Sequence, residues 1–423
     1  MEQPLTANFK PDGEPPSLNE YEKAGGYQAL RKALKIGREA VIREISDARL
    51  RGRGGAGFPT GTKWNSMPPV KDDPGSRYFV TDADEMEPGT FKDRVLMEGN
   101  PHQLIEGMII GALVNECESA FLFLRWEYTR ARKRLETALA EALQAGYLGH
   151  NILGSGLNLE MHLHVSAGRY MCGEGTALTS ALEGSRAVPH SKVPRQTQSG
   201  LWGRPTLMNN VETLCNVPHI INKGADWFKS LSLSSDGGTK IYGVSGKVKR
   251  PGFWELPMGT PIREILYEHA GGMQDGLSLK GLMPGGGSTD FLLEEHLDTR
   301  MDFDSVQKAG SRMGTGTMIV LDDQTCPVGM VHNLEHFFAH ESCGWCTPCR
   351  EGLPWVASIL KDMEEGKGQP GDIETLEFHV KHLGPGRTFC ALAPGAVEPL
   401  GSALKFFRED FERHISERRC PWR

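Results

Sequence analysis

The chain has 423 residues, of which 39% are hydrophobic and 24% charged, and it carries a net charge of −7. That length suits two or three domains, and the acidic balance leaves no basic surplus for nucleic acid. No run of about 18 uncharged apolar residues is present to form a transmembrane helix.

The first residues, Met1-Glu2-Gln3-Pro4, lack the basic-then-apolar run of a signal peptide. Residues 1–25 are polar and rich in proline and glycine, which predicts an extended arm. Tyr27 to Leu50 reads as two helices, with Val41, Ile42 and Ile45 marking an apolar face. A glycine-rich stretch follows, from Gly52 through Gly54, Gly55 and Gly57 to Phe58, Gly61 and Lys63. It contains a literal G-x-G-x-x-G, but the dinucleotide fingerprint needs a strand before it and a helix after it. Here a charged helical segment precedes, and Pro59 and Gly61 follow. The reading is a loop whose bare backbone can approach a flat or phosphorylated ligand, with Lys63 as a cation and Phe58 as a stacking face. A plain surface loop is the competing reading.

Arg77 to Thr81 predicts a short strand running into Asp82-Ala83-Asp84-Glu85-Met86-Glu87. Carboxylates at the carboxyl end of a strand are either a solvated turn or hydrogen-bond acceptors for a ligand. Asn100 caps and Pro101 opens a helix. Phe121–Leu124 predicts a buried strand and residues 129–146 a helix. Leu159, Met161, Leu163 and Val165 alternate as a strand. Tyr170-Met171-Cys172-Gly173-Glu174-Gly175 then turns into a helix from Thr176 to Leu182. This alternation predicts a mostly parallel α/β sheet. Residues 185–205 form an irregular basic loop. Thr206 to Thr213 is expected to begin a helix capped by Asn209 or Asn210, whose first N–H groups suit a phosphate.

From Thr239 the pattern changes to short strands (240–244, 246–249, 252–256), a helix at 262–270 and a glycine run near 285, which predicts a small α+β module. From Val331 the chain reads as helical, with segments at 331–339, 353–364, 373–382 and 396–415. Phe406, Phe407 and Phe411 read as core. This region holds Cys343-x-x-Cys346-x-x-Cys349, with Cys390 downstream. Four thiolates are the ligand count of a [4Fe-4S] cube. Structural zinc more often uses two separated C-x-x-C pairs, and a disulfide knot requires an oxidising compartment and a small domain. Cys117, Cys215, Cys326 and Cys420 read as reduced packing thiols, and Cys172 belongs to the Tyr170–Gly173 motif.

The glycine loop, the acidic turn, Tyr170–Gly173, Asn209–Thr213 and the cysteine array occur in this order. The combination resembles the family of flavin- and NADH-binding subunits of respiratory complex I, the NADH-quinone oxidoreductase. The resemblance implies a Rossmann-like α/β domain at 26–235 binding FMN and NADH. It further implies a ubiquitin-like, soluble-ligand-binding β-grasp domain at 236–328 and a helical bundle at 329–423 with one [4Fe-4S] cluster. Gly54, Gly55, Gly57 and Lys63 would line the FMN and nucleotide cavity, with Phe58 on the adenine side. Asp84 and Glu85 would contact FMN, and Glu87 would lie near the nicotinamide. Tyr170, Gly173 and Glu174 would pack beside the flavin, and Asn209, Asn210 and Thr213 would hold its ribityl-phosphate end. Cys343, Cys346, Cys349 and Cys390 would bind the cluster. The implied partners are a thioredoxin-like [2Fe-2S] subunit and a large iron-sulfur subunit, with quinone reduced indirectly. The implied location is cytoplasmic, on the inner membrane through those partners. The alternatives are a diaphorase subunit of a soluble hydrogenase or formate dehydrogenase, and a cluster-bearing scaffold without catalysis.

The chain departs from the family at several positions. Asp82 stands for an asparagine, Trp126 for a glycine, Gly175 for a second glutamate and His190 for an arginine. Val193-Pro194-Arg195 lacks a phenylalanine of the family loop. Loss of a carboxylate at Gly175 and gain of Arg195 would weaken discrimination against NADPH; ordinary divergence of the loop is the competing reading.

Overall fold

A computed structural model describes residues 2–73 and 75–423. The chain divides into two compact units. The first comprises Met1–Met86, Phe91–Ile241 and Glu255–Gly259, and the second Glu87–Thr90, Tyr242–Trp254 and Thr260–Arg423.

Four strands form the sheet of the first unit: β1 (Tyr78–Ala83), β2 (Ser119–Leu124), β3 (Glu160–Val165) and β4 (Thr206–Asn210). All pairings are parallel, in the order β3-β2-β1-β4. Alternation along β1 sends Phe79 into the main core and Val80 into a smaller cluster with Phe123, Cys172 and Leu178. Both faces are therefore covered, as a parallel sheet requires. The order also creates a switch point. From β1 the chain moves outward to β2 and β3, then returns to lay β4 on the other side of β1. The carboxyl ends of β1 and β4 open there, with Asp82 paired to Asn210 in register.

Helix Pro101–Val114 forms as expected, with Asn100 as its cap and Pro101 in its first turn. It carries a buried carboxylate. Glu106 accepts the Tyr21 hydroxyl at 2.6 Å and the Tyr27 and Leu30 N–H groups at 2.8 and 3.0 Å. These bonds fasten the N-terminal segment, so residues 2–25 depart from the expected extended arm. Leu5 is fully buried, and Ser17 and Glu20 form a capping box on helix Leu18–Lys23. Thr206–Asn210 also departs from expectation, being a strand, with the helix starting at Val211. The polar Asn209-Asn210 pair hides the alternation of Leu207 and Met208.

The second sheet comprises β5 (Thr239–Gly246), β6 (Gly252–Pro257), β7 (Leu279–Met283) and β8 (Thr317–Asp322), in the order β6-β5-β8-β7. β5 and β8 are parallel, whereas β7 and β8 are antiparallel. No separate strand forms at 246–249, and the expected helix at 262–270 is a π-helical turn, Glu264–His269. The helical region contains Pro327–Glu341, Thr347–Glu364, Asp372–Leu383, Leu392–Phe406 and Arg408–Glu417. The expected single helix 396–415 is broken at Phe407, whose backbone leaves the helical basin (φ −124°, ψ 26°). Phe407 and Phe411 are buried, as expected, whereas Phe406, beside the break, is half-buried. No helix among the described residues is long and apolar enough to cross a membrane.

Candidate active site and cluster loop

A cleft of about 610 Å³ opens at the switch point of the first sheet. The glycine loop forms one wall. Gly52 N–H donates to the Phe58 carbonyl and Thr60 N–H to the Leu50 carbonyl, both at 2.9 Å, so the loop closes on itself. No strand precedes it, but a short helix, Thr60–Asn65, does follow, against expectation. Two glycines are required here. Gly57 has φ +65°, and a Cβ on Gly54 would approach Asn210 Cβ to 3.2 Å.

Most of the expected residues come together in this cleft. Gly54, Gly57, Phe58, Lys63, Asp82, Gly173, Glu174, Gly175, Asn209, Asn210 and Thr213 all line it. Phe58 is 52% exposed, which leaves ring surface open for stacking. Lys63 Nζ donates to the Met208 carbonyl at 2.8 Å, and burial lowers its pKa. Asn209 Oδ1 accepts the Trp64 indole N–H at 2.9 Å, and Thr213 Oγ1 accepts the Arg53 N–H at 2.8 Å. Two buried polar atoms on the wall, Thr60 Oγ1 and Gln196 Nε2, have no hydrogen-bond partner among the described residues. Such atoms call for a polar ligand, and the cleft fits a flavin nucleotide in both volume and donors.

Other expected residues do not line the cleft. Gly55 belongs to the loop but not to its ligand-facing wall. Asp84 is buried beside Ser166 and Cys172, and burial pushes its carboxyl up to about 6. Glu85 caps helix Lys92–Gly99, accepting the Asp93 and Arg94 N–H groups at 2.9 and 3.0 Å and the Tyr128 hydroxyl at 3.0 Å. The Glu85 carboxylate is thus committed within the protein. Tyr170 sits in a 3-10 turn, Tyr170–Gly173. Glu87 belongs to the second unit, where it accepts the Ser288 N–H at 2.7 Å. Trp126 lies outside the cleft lining, 53% exposed and close against Gly168.

Glu174 has a clear local role. Its Oε2 accepts the Thr176 and Ala177 N–H groups at 3.0 and 3.1 Å, capping helix Gly175–Leu182. Its other oxygen meets Lys192 Nζ at 3.3 Å. Lys192 and Arg195 also line the cleft, beside Gly175.

Behind the cleft lies a buried ion network that sequence reading missed. Glu212 Oε2 is 2.8 Å from Lys240 Nζ and 3.2 Å from Lys92 Nζ, and Lys92 meets Asp93 at 2.7 Å. Asn210 connects this network to the cleft. Its Nδ2 donates to Asp93 at 2.6 Å, and its Oδ1 accepts the Glu212 N–H at 3.0 Å. Burial lowers the Lys240 pKa to about 8. Burial works in the same direction on Lys92, but Asp93, Glu212 and Glu85 hold its pKa above the usual lysine value. Fully buried Arg53 adds a third cation to the same interior.

In the second unit, Ser342 Oγ lies 3.2 Å from Cys349 Sγ and accepts the Gly344 N–H at 3.3 Å. Cys346 is the N-cap of helix Thr347–Glu364, and Cys390 directly precedes the N-cap of helix Leu392–Phe406. Burial raises the Cys349 thiol to about 12, and its neighbours Cys346, Cys390 and Cys343 add to the shift. The four sulfurs therefore share one neighbourhood, and cations are needed to hold them as thiolates. Two helix N-termini add positive potential. This donor set fits an iron-sulfur cube.

A switch-point cleft with a glycine wall, joined in one chain to a four-cysteine array, defines an iron-sulfur flavoprotein component of a redox enzyme. Sequence comparison agrees. Residues 45–219 match the family model described as the Nuo51 FMN-binding domain. Residues 241–288 match the SLBB domain, and residues 329–414 the NADH-ubiquinone oxidoreductase-F iron-sulfur binding region. The chain is 55% identical over 416 residues to the F subunit of NADH-quinone oxidoreductase of Escherichia coli (strain K12), covering 98% of this chain and 93% of that one. It is 45% identical to the F subunit of the same enzyme of Streptomyces coelicolor, covering 99% and 92%. A crystal structure of an NAD+-reducing [NiFe]-hydrogenase in the H2-reduced state superposes with a TM-score of 0.80 at 33% identity. That match covers 90% of this chain and 62% of the hydrogenase chain. The chain belongs to the family of NADH-quinone oxidoreductase F subunits.

The ion network and the acidic turn can each be tested. Glu212→Gln removes the carboxylate that pairs with buried Lys240 and shares Lys92 with Asp93, and should cost about 3–5 kcal/mol of stability, measured by denaturant unfolding. Asp82 gives a pH signature. Burial, and then Asp84, raise its carboxyl from 3.8 to about 8. The fold thus keeps a proton that the unfolded chain has lost. The stability this provides is complete below pH 3.8 and is lost as pH rises towards about 8. Melting temperature should therefore fall less steeply across that window in Asp82→Asn than in the parent; parallel profiles would contradict the assignment.

Proposed function

We infer that this chain oxidises NADH at the switch-point cleft and passes electrons singly through the cysteine array. The observation that carries this reading is the pairing, in one chain, of a flavin-sized cleft with orphaned polar donors and a four-thiol site. Bound FMN would supply the conversion between the nicotinamide's electron pair and the single electrons that a [4Fe-4S] cluster takes. The chain's own residues bind and orient. Gly54 and Gly57 let backbone approach the ligand, Phe58 offers a stacking face, and Lys63 supplies positive charge. Protonated Asp82 can donate a hydrogen bond as an asparagine amide would. No side chain need move a proton at the hydride step, since the rate gain comes from holding two rings in register.

Cys343, Cys346, Cys349 and Cys390 are the proposed cluster ligands. The proposed partners are a thioredoxin-like [2Fe-2S] subunit and a large iron-sulfur subunit of the same complex. Through them the chain would sit at the cytoplasmic face of the inner membrane and feed quinone. The hydrogenase likeness supports a second reading, a diaphorase subunit serving a soluble partner, which would reduce NAD+ from a hydrogen-oxidising module without quinone.

Nucleotide choice is the finer proposal. Gly175, Lys192 and Arg195 line one wall, where a missing carboxylate and two cations accommodate a 2′-phosphate. An ideal Cβ on Gly175 would lie 2.6 Å from Gln196 Oε1, the movable end of a side chain. Gly175→Glu is therefore sterically feasible once Gln196 rotates.

Anaerobic titration with NADH, then NADPH, tests the reading through flavin bleaching and the cluster's EPR signal. NADH should reduce both centres. NADPH should do so more slowly, and Gly175→Glu should depress the NADPH rate about tenfold, the effect of roughly 1.4 kcal/mol of added repulsion. A flavin that neither nucleotide bleaches would leave the scaffold reading. In Cys390→Ser the cluster signal should vanish while NADH still bleaches the flavin; an unchanged signal would remove Cys390 from the ligand set.

A further inference from the structure

Away from the cluster loop, four side chains converge in the helical region of the second unit. The ligating atoms of Cys326, Glu364, His414 and Cys420 all lie within 4.8 Å of one another. They come from four separate places in the chain: the start of helix Pro327–Glu341, the end of helix Thr347–Glu364, helix Arg408–Glu417 and the C-terminal segment. Cys420 is 3% exposed and His414 fully buried.

Each group is set as a ligand. His414 Nδ1 is 2.6 Å from the Asp410 carbonyl and donates its proton there, which turns the Nε2 lone pair inward. Nε2 lies 3.0 Å from Glu364 Oε1 and 3.4 Å from Cys326 Sγ, and that sulfur lies 2.9 Å from the same oxygen. Cys326 Sγ also accepts the Gly329 N–H at 3.2 Å at the start of its helix, which fixes the sulfur's position. Three lone-pair atoms thus crowd one point, with a second sulfur completing the set. Tetrahedral zinc, with bonds of about 2.0–2.3 Å, places its ligands about 3.3–3.8 Å apart, within the observed spread.

We propose that Cys326, Glu364, His414 and Cys420 bind one structural Zn2+ ion. Two thiolates and an imidazole suit zinc over the hard cations, and four protein ligands close the site against catalysis. On binding, both thiols release their protons. Two thiolates, a carboxylate and Zn2+ sum to one negative charge, which Arg423 offsets at 3.0 Å from Glu364 Oε2. Trp422 stacks over His414 at 5.8 Å and covers the site. The ion would pin the C-terminal segment to the helices that carry the cluster. The competing arrangement is metal-free, with an imidazolium and a neutral thiol both donating to Glu364.

The test is metal analysis and zinc-edge X-ray absorption of the full-length chain after dialysis against a weak chelator. About one zinc per chain is expected, with two sulfur neighbours near 2.3 Å and two lighter ones near 2.0 Å. Absence of zinc would establish the metal-free arrangement. A shell of four sulfurs would place zinc in the cluster cysteines. Either result overturns the proposal. Cys326→Ser and Cys420→Ser should each lower bound zinc at least tenfold with iron retained, and full zinc in both would also overturn it. Should either variant fail to fold, the absorption spectrum of the parent chain decides alone.

Discussion

The cleft depends on one buried carboxylate. Glu212 begins the helix after β4, Lys92 and Asp93 begin the helix after β1, and Lys240 lies at the start of β5. Without Glu212, two ammonium groups would stand in the interior with too little compensation, and a buried charge left so is strongly destabilising. The network therefore fixes the two strand ends between which the cleft opens. Arg53, Lys92 and Lys240 face Asp93, Glu212 and, through Lys92, Glu85, so three cations meet three carboxyl groups. The charges behind the wall of glycine and asparagine are therefore close to balanced, and the cations that line the cleft, Lys63, Lys192 and Arg195, are those that suit a phosphorylated ligand.

Asn210 joins the network to the cleft. The family resemblance implies that it holds the ribityl-phosphate end. Its amide also bonds Asp93 and the Glu212 N–H, while it lines the cleft on its open side. It is the link through which the ion network positions the ligand wall. Glu85 and Glu174 are similar. Each caps a helix with its carboxylate and so also holds Lys92–Gly99 or Gly175–Leu182 in place.

What the sequence revealed followed what is local. Strand alternation, the Asn100-Pro101 cap and the two-residue spacing of three cysteines are all short-range signals, and each matched an element or a cluster of side chains. The missed features are long-range. Lys92, Asp93, Glu212 and Lys240 look like ordinary helix-end and strand charges until the fold brings them together. Cys326 and Cys420 read as packing thiols because nothing local pairs them with Glu364 and His414. Thr206–Asn210 reads as a helix start because its asparagines sit at the carboxyl end of a parallel strand, where a site needs polar groups and alternation is lost. The glycine loop resembles a dinucleotide turn without being one, because its closure comes from two hydrogen bonds across its own base.

The departures from the family pattern divide on physical grounds. At Asp82 the change is nearly silent: a carboxyl kept neutral by burial accepts the Asp84 N–H at 3.1 Å through one oxygen and can donate through the other, as an amide would. Trp126 fills space beside Gly168 and is not among the residues that line the cleft. Gly175 is different. It lines the cleft between the Glu174 cap and Gln196, and a carboxylate there would have stood beside Lys192 and Arg195 and cancelled part of their charge. Removing it leaves Glu174 as the local anion, already committed to two backbone N–H groups and Lys192. The electrostatic consequence therefore falls on the wall of the cleft that Gly175, Lys192 and Arg195 line.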